Sequence, residues 1–142
     1  MNNNKKKYKA ACNCMNITYY FYTLELPKNW MVRTCNCTFC KKYNSHIYCS
    51  DPKGKVEFYF ENLDIIKFYN HGTHSADFLV CKCNSYVGSV MKTKKGIYAV
   101  LNIEFLIGNI RTPNPYRLLW KNEDKDIRLS RRLKTWTPVT RY

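Results

Sequence analysis

The chain has 142 residues, enough for one domain with a hydrophobic core and too few for two domains of ordinary size. It carries 24 Lys and Arg against 10 Asp and Glu, and this net charge of +14 suits anionic small ligands as well as nucleic acid. No apolar run approaches the roughly 20 residues of a membrane-spanning helix, so we expect no membrane segment.

The start of the chain, MNNNKKKYKAACNC, has positive charge but no apolar segment behind it. We therefore expect no secretory signal peptide and a cytoplasmic location. We also expect a single domain over residues 1–142, with residues 1–9 frayed. In a reducing cytoplasm eight cysteines rarely form disulfides, which favours metal ligation or thiol chemistry over a secreted disulfide scaffold.

The middle of the chain is predicted to be mostly antiparallel β-structure. Residues 17–26, ITYYFYTLEL, are rich in β-branched and aromatic types and end before Pro27, as a strand followed by a turn does. Turn sequences with Gly, Asn and Pro separate further runs of this kind. These runs cover residues 46–49, 56–60, 65–69, 77–80, 86–91 and 97–103. Residues 124–134 have a helical pattern, so we expect a mainly β fold with a short C-terminal helix.

Seven of the eight cysteines fall into three groups, two of them C-x-C pairs. Residues i and i+2 of an extended segment point to the same side, so each pair can direct two thiolates at one ion. A structural zinc ion usually takes four tetrahedral ligands from the protein. The two pairs supply such a set: Cys12, Cys14, Cys81 and Cys83. Zinc bound there would join distant parts of the chain and contribute its binding free energy to folding.

The third group, Cys35, Cys37 and Cys40, is one ligand short of a closed zinc site. Three protein ligands and an open position are typical of a catalytic zinc site. Two alternatives stay open. Either Cys49 or His46 is a fourth ligand and the site is a second structural one, or the thiols are reduced core cysteines.

The order of these motifs resembles the glutathione-dependent formaldehyde-activating family, which includes the centromere protein V-like proteins. Beyond the cysteines, the likeness includes the basic pair Lys41 and Lys42 after the group of three. It extends to YNHGTHSADF at residues 69–78, YVGSVM at 86–91 and YAVLN at 98–102, and to the Arg pair and Trp-Thr-Pro within residues 131–138. It therefore covers nearly the whole chain.

The resemblance implies a β-tent fold of small antiparallel sheets, with two zinc ions per chain, one structural and one catalytic. By position, the structural set is Cys12, Cys14, Cys81 and Cys83, and the catalytic set is Cys35, Cys37 and Cys40. Two departures concern the structural set: the late pair is usually C-x-x-C-G, whereas Asn84 follows a shorter C-x-C here, and Met15 stands where glycine often follows the opening pair. The shorter spacing leaves the geometry of one ligand open.

The resemblance also implies a carbon–sulfur lyase, similar to S-(hydroxymethyl)glutathione synthase, that adds formaldehyde to a glutathione thiol or removes it. Glutathione or a similar small thiol is the expected partner, bound at the open position as a thiolate. Arg33, Lys41 and Lys42 flank the trio and either hold the carboxylates of glutathione or are ordinary surface charges. His71 and His74 are proton-transfer candidates or plain loop and strand residues.

A second hypothesis is a non-catalytic, zinc-stabilised binding module that uses its basic surface for nucleic acid or an acidic partner. We rank it lower because the sequence shows no recognition helix and no evident basic-aromatic pattern. Its best candidate patch, Trp136 near Arg131, Arg132 and Lys134, is explained equally well by a docked C-terminal segment. The mark of such a module would be an affinity that falls steeply with salt.

Overall fold

A computed structural model describes residues 5–34, 47–70, 76–117 and 125–142. This part of the chain is mainly β, with an open mixed sheet and one α-helix. The strands are β1 (Lys6–Ala11), β2 (Ile17–Thr23), β3 (Arg33–Thr34), β4 (Tyr48–Cys49), β5 (Lys55–Phe60), β6 (Ile66–Asn70), β7 (Asp77–Cys81), β8 (Tyr86–Thr93), β9 (Gly96–Asn102), β10 (Tyr116–Arg117) and β11 (Thr137–Arg141). Helix α1 spans Lys125–Thr135.

Strands β1, β2 and β5 form an antiparallel unit with one face in the core. Alternation along β2 and β5 buries Tyr19, Phe21 and Phe58 on that face, each at most 1% exposed. Aromatic and β-branched residues favour such half-buried strands, which is why ITYYFYT folds this way.

Strands β6 to β9 form an antiparallel meander in the other half of the sheet. The second edge of β9 pairs with β4 and with the start of β11, and β3 lies between β4 and the parallel β10. Gly88 of β8 permits the close approach of β9, because a Cβ at this position would lie 2.7 Å from the carbonyl oxygen of Val100.

Strand β11 connects the two halves of the sheet. It pairs in parallel with β5 and antiparallel with β9. The hydroxyl of Thr137, which is fully buried, accepts a hydrogen bond of 2.8 Å from the backbone N–H of Asp51. Tyr142, just after the strand, packs edge-on against Phe58 and Phe60.

Helix α1 packs against the meander through Leu129 and Leu133, and Trp136, the residue directly after the helix, joins this contact. Trp136 is 5% exposed and packs with Ala76 and Met91. The predicted helix at residues 124–134 is confirmed with a shift of one residue. None of the helices in the described ranges is both long and apolar enough to cross a membrane.

The predicted strands are confirmed to within about three residues at their ends where the structure describes them. The expectation of a frayed start is wrong for residues 6–9, because β1 begins at Lys6 and pairs with β2 along its whole length. Tyr8 and Ala10 of β1 face the core, so apolar contacts hold this lysine-rich segment in place. Four short or terminal strands, β1, β3, β10 and β11, were not predicted.

Candidate metal centre

Two similar hairpin turns each present a pair of cysteines. In one, the N–H of Met15 donates to the carbonyl of Cys12 at 2.9 Å, and in the other the N–H of Asn84 donates to the carbonyl of Cys81 at 2.8 Å. Met15 and Asn84 both have a φ of 66°, the left-handed conformation that follows this kind of turn. The shorter C-x-C spacing of the late pair is thus the same as that of the opening pair, and both turns share this hydrogen bond and a left-handed residue after the second cysteine.

The two turns meet and bring four sulfurs together. The Sγ atoms of Cys12, Cys14, Cys81 and Cys83 all lie within 4.8 Å of one another. The Sγ of Cys14 is 3.7 Å from that of Cys12 and 3.4 Å from that of Cys81. Four sulfurs at roughly 2.3 Å from one tetrahedral ion are about 3.8 Å apart, so the cluster has the dimensions to hold one metal ion.

Hydrogen-bond donors point at the sulfurs of this cluster. The N–H of Ile17 donates to Cys12 Sγ at 3.3 Å, and the N–H groups of Cys14 and Cys83 donate to Cys83 Sγ and Cys81 Sγ. The hydroxyl of Ser85 lies 3.1 Å from Cys83 Sγ. Donors placed in this way stabilise thiolates, which are the form of cysteine that binds metals. The donor set therefore fits a metal–thiolate centre.

The thiols of Cys12, Cys81 and Cys83 do not ionise alike. Burial raises the pKa of Cys12 to about 12 and also raises the pKa of Cys81. Burial acts in the same direction on Cys83, but hydrogen bonds from the Ser85 hydroxyl and the Cys14 N–H outweigh it and lower the pKa of Cys83 to about 6. The lowered pKa of Cys83 favours its thiolate form, and a cation that bound here would displace protons from Cys12 and Cys81.

Two polar residues that the sequence analysis did not select support the turns. Asn16 is 5% exposed and exchanges two hydrogen bonds with the backbone of Asn62, at 2.9 and 2.7 Å, with its Nδ2 3.8 Å from Cys81 Sγ. Ser85 accepts from the N–H of Asn13 at 3.2 Å and so links the two turns. Both directly follow the left-handed residue of their turn, and this repeated position is the signal that could have identified them.

The candidate residues of the second site are described only in part. The cysteine trio, its two lysines and the three histidines lie outside the described residues: Cys35, Cys37, Cys40, Lys41, Lys42, His46, His71 and His74. Arg33, just before the trio, is half-buried and donates to the Ser50 hydroxyl, which donates in turn to the carbonyl of Thr135 at 2.7 Å. Burial lowers the pKa of Arg33, and the nearby Arg131 adds to this effect while Cys49 opposes it.

Cys49, the remaining cysteine, is a core residue of β4. It is 2% exposed, and burial raises the pKa of its thiol to about 12. Cys49 pairs with Leu101 of β9. The residue before it in β4, Tyr48, pairs with Arg33 of β3. Cys49 therefore lies one strand away from the segment that leads into the trio.

The fold and the cluster together define a mainly β protein with a four-cysteine centre that could bind one metal ion. No family model and no curated protein matches the sequence. The fold is similar to that of a Rhodobacter sphaeroides protein whose crystal structure was determined as a structural-genomics target. That similarity has a TM-score of 0.52 at 18% identity and covers 78% of this chain and 99% of the other, so it concerns the fold alone.

Proposed function

We propose that the chain binds a structural zinc ion at Cys12, Cys14, Cys81 and Cys83 within a β-tent fold. The observation that carries this proposal is the meeting of two C-x-C turns, distant in sequence, at the four positions that the family resemblance assigns to the structural ion. Four thiolates suit zinc, whereas hard cations such as magnesium and calcium prefer oxygen ligands.

The activity that we propose is that of a zinc-dependent carbon–sulfur lyase of the glutathione-dependent formaldehyde-activating type. Its site would be the trio Cys35, Cys37 and Cys40, with a second zinc ion that supplies the positive charge needed to keep a bound thiol deprotonated. In the reaction, a bond forms between the glutathione sulfur and the formaldehyde carbon. The thiol proton ends on the new hydroxyl group, and the reverse reaction breaks the same bond.

Arg33 is the described residue best placed to bind a carboxylate of glutathione. Its guanidinium is half-buried, and the charge of Arg131 is close enough to repel it. A bound carboxylate would offset this repulsion. Arg131 also lines a cleft of about 520 Å³ that opens along α1. The cleft is lined by Asp126, Ile127, Ser130, Arg131, Lys134 and Thr135.

Metal analysis combined with glutathione titration tests the proposal. We expect two zinc ions in the wild-type chain and one in Cys37→Ser, with saturable glutathione binding lost in the variant while its circular dichroism spectrum is retained. Cys49→Ser is the matched control, because it removes a cysteine outside both proposed sets and should keep both ions. Normal glutathione binding by Cys37→Ser would show that the open-site mechanism is wrong.

The carboxylate contact has a separate test. Arg33→Gln should weaken glutathione binding roughly tenfold to a hundredfold, the usual worth of a charged hydrogen bond, without changing the zinc content. Arg111→Gln, at an exposed arginine, is the control and should bind as the wild type does. Equal effects of the two substitutions would mean that only the overall charge matters, and not the position of Arg33.

A further inference from the structure

The outer face of the β1–β2–β5 unit, opposite the core, combines tyrosines with cations. Residues directly opposite each other in antiparallel strands share a face, and the register places Lys7 opposite Tyr22, Lys9 opposite Tyr20, and Tyr22 opposite Lys55. The residues of this outer face are Lys7, Lys9, Tyr20, Tyr22, Lys55, Glu57, Tyr59 and, from β11, Arg141. All of them are exposed or half-buried.

The rings and the cations of the outer face are in contact. The Nζ of Lys7 lies 4.6 Å from the ring centroid of Tyr20, and the Cζ of Arg141 lies 4.4 Å from that of Tyr59. The rings of Tyr20 and Tyr59 are themselves neighbours, with centroids 5.5 Å apart. Each cation lies over the face of its ring, and the two rings are nearly perpendicular, at 85°, so aromatic surface and positive charge are combined at the same points of the outer face.

The charge of the outer face is strongly positive. Four cations stand against a single carboxylate, Glu57, and its Oε1 already accepts hydrogen bonds from the hydroxyls of Tyr22 and Tyr59 at 3.0 and 3.4 Å. The whole chain adds to this local excess with its net charge of +14. The partner that complements the face is a polyanion.

We propose that the outer face binds single-stranded nucleic acid, with bases stacked on Tyr20 and Tyr59 and phosphates held by the surrounding cations. Proteins that bind single strands combine basic grooves with aromatic side chains, and a sheet face that presents aromatic residues can stack two or three unpaired bases. An acidic peptide would meet the cations but offers no planar groups for the rings. The surface shares no residue with the cysteine sites, so this proposal stands independently of the lyase activity.

Fluorescence anisotropy with dye-labelled oligo(dT) and oligo(U) of about 12 nucleotides, on the zinc-loaded full chain, tests the proposal. Affinity for both strands should fall with salt at a log–log slope of about −0.7 for each phosphate contacted. Lys7→Gln combined with Lys9→Gln should reduce the magnitude of that slope by about 1.4. The matched control is Lys94→Gln combined with Lys95→Gln, which removes the same charge from the exposed β8–β9 turn and should leave the slope nearly unchanged. A preference between the two strands identifies DNA or RNA as the natural source of the ligand.

The rings are tested separately from the charges. Tyr20→Leu and Tyr59→Leu should each weaken binding roughly tenfold, because a stacked base is lost, whereas Tyr20→Phe and Tyr59→Phe should keep the affinity. Thermal unfolding checks that each variant is folded, and Tyr59, on the exposed side of β5, is the safer position. Because Phe retains the ring without the hydroxyl, the Phe and Leu pair isolates the contribution of stacking.

Four results would overturn the proposal. The first three are the absence of measurable binding at about 50 mM salt, Leu variants that bind as tightly as the Phe variants, and competition by poly-glutamate as strong as that by the oligonucleotide. Strong competition by poly-glutamate would assign the face to an acidic protein partner. Equal affinity for a duplex of the same length would also contradict it, because paired bases cannot stack on the tyrosines.

Discussion

Two residues in the left-handed conformation shape the four-cysteine cluster, and they do so at unequal cost. Met15 and Asn84 both have a φ of 66°, yet asparagine tolerates this region far better than methionine does. Met15 is 56% exposed and so has little packing to lose. We therefore expect Met15→Gly to stabilise the zinc-loaded protein by up to about 1 kcal/mol in urea denaturation, and Asn84→Gly to stabilise it by less.

The control for this prediction is Met15→Ala, which removes the same side chain but keeps a Cβ at positive φ. It should give no gain, so a similar gain from Ala and Gly would show that the backbone conformation of Met15 is not strained.

The buried thiol of Cys49 makes the stability of the fold sensitive to alkaline pH. Its ordinary pKa is 9.0, and burial raises the native value to about 12, so between these limits the unfolded chain releases a proton that the native state keeps. Stability therefore falls as pH rises through this window, by up to about 1.4 kcal/mol per pH unit from this group. We expect Cys49→Ala to flatten the decline measured by urea denaturation between about pH 9 and 10.5.

Other titrating groups also lower the stability of the fold at high pH. The test therefore compares the slopes of unfolding free energy against pH in the wild type and the variant. Burial raises the pKa of Tyr142 to about 12 as well, and Tyr142→Phe serves as a parallel variant. If wild type and Cys49→Ala decline with the same slope, the native thiol of Cys49 ionises near its ordinary pKa.

At the scale of residues, the sequence predicts which cysteines cluster better than it predicts which residues surround them. The C-x-C spacing alone pairs Cys12 with Cys14 and Cys81 with Cys83, and the structure confirms that the four sulfurs lie together. The hydrogen bonds of Asn16 and Ser85 depend on which distant segments meet, and the sequence offers only their shared position, two residues after each C-x-C pair. The trio at residues 35–40 stays a prediction.

Among the elements, β1 and β11 show why some strands escape sequence analysis. Lysines alternate with Tyr8 and Ala10 in β1, a pattern typical of a half-buried strand. This strand was not predicted because the high charge of the segment suggested a frayed end. Strand β11, TPVTR, is short and has a proline as its second residue. Its two partner strands, β5 and β9, are far away in sequence. Local propensity therefore predicts the long strands of the meander and misses strands that tertiary pairing creates.

The position of β11 between the two halves of the sheet depends on a buried hydrogen bond. Thr137 is fully buried, and its hydroxyl accepts from the N–H of Asp51. Thr137→Val has nearly the same shape but leaves that N–H without its acceptor, so we expect a loss of about 1–3 kcal/mol in the free energy of unfolding. Thr137→Ser keeps the hydroxyl and should lose less. An equal loss in both variants would mean that the methyl contacts of Thr137 contribute as much to stability as its hydrogen bond with Asp51.

In the whole molecule, two features join the halves of the sheet. Strand β11 pairs with both, and the four-cysteine cluster links the β1–β2 turn to the β7–β8 turn. The mixed order of strands brings residues 12 and 81 together although long stretches of chain separate them. A metal ion in the cluster would therefore act on the folding of both halves, since it binds a site that the unfolded chain does not have.

The dependence of stability on free zinc measures this coupling. Each ion that binds only the native state should raise the free energy of unfolding by about 1.4 kcal/mol for every tenfold increase in free zinc above its dissociation constant. We expect a variant that combines Cys35→Ser, Cys37→Ser and Cys40→Ser to show this single-ion slope in metal-buffered urea denaturation, and the wild type to show about twice that value. A variant without any zinc dependence would contradict a structural ion at Cys12, Cys14, Cys81 and Cys83. Equal slopes in both proteins would mean that the trio holds no ion that stabilises the native fold.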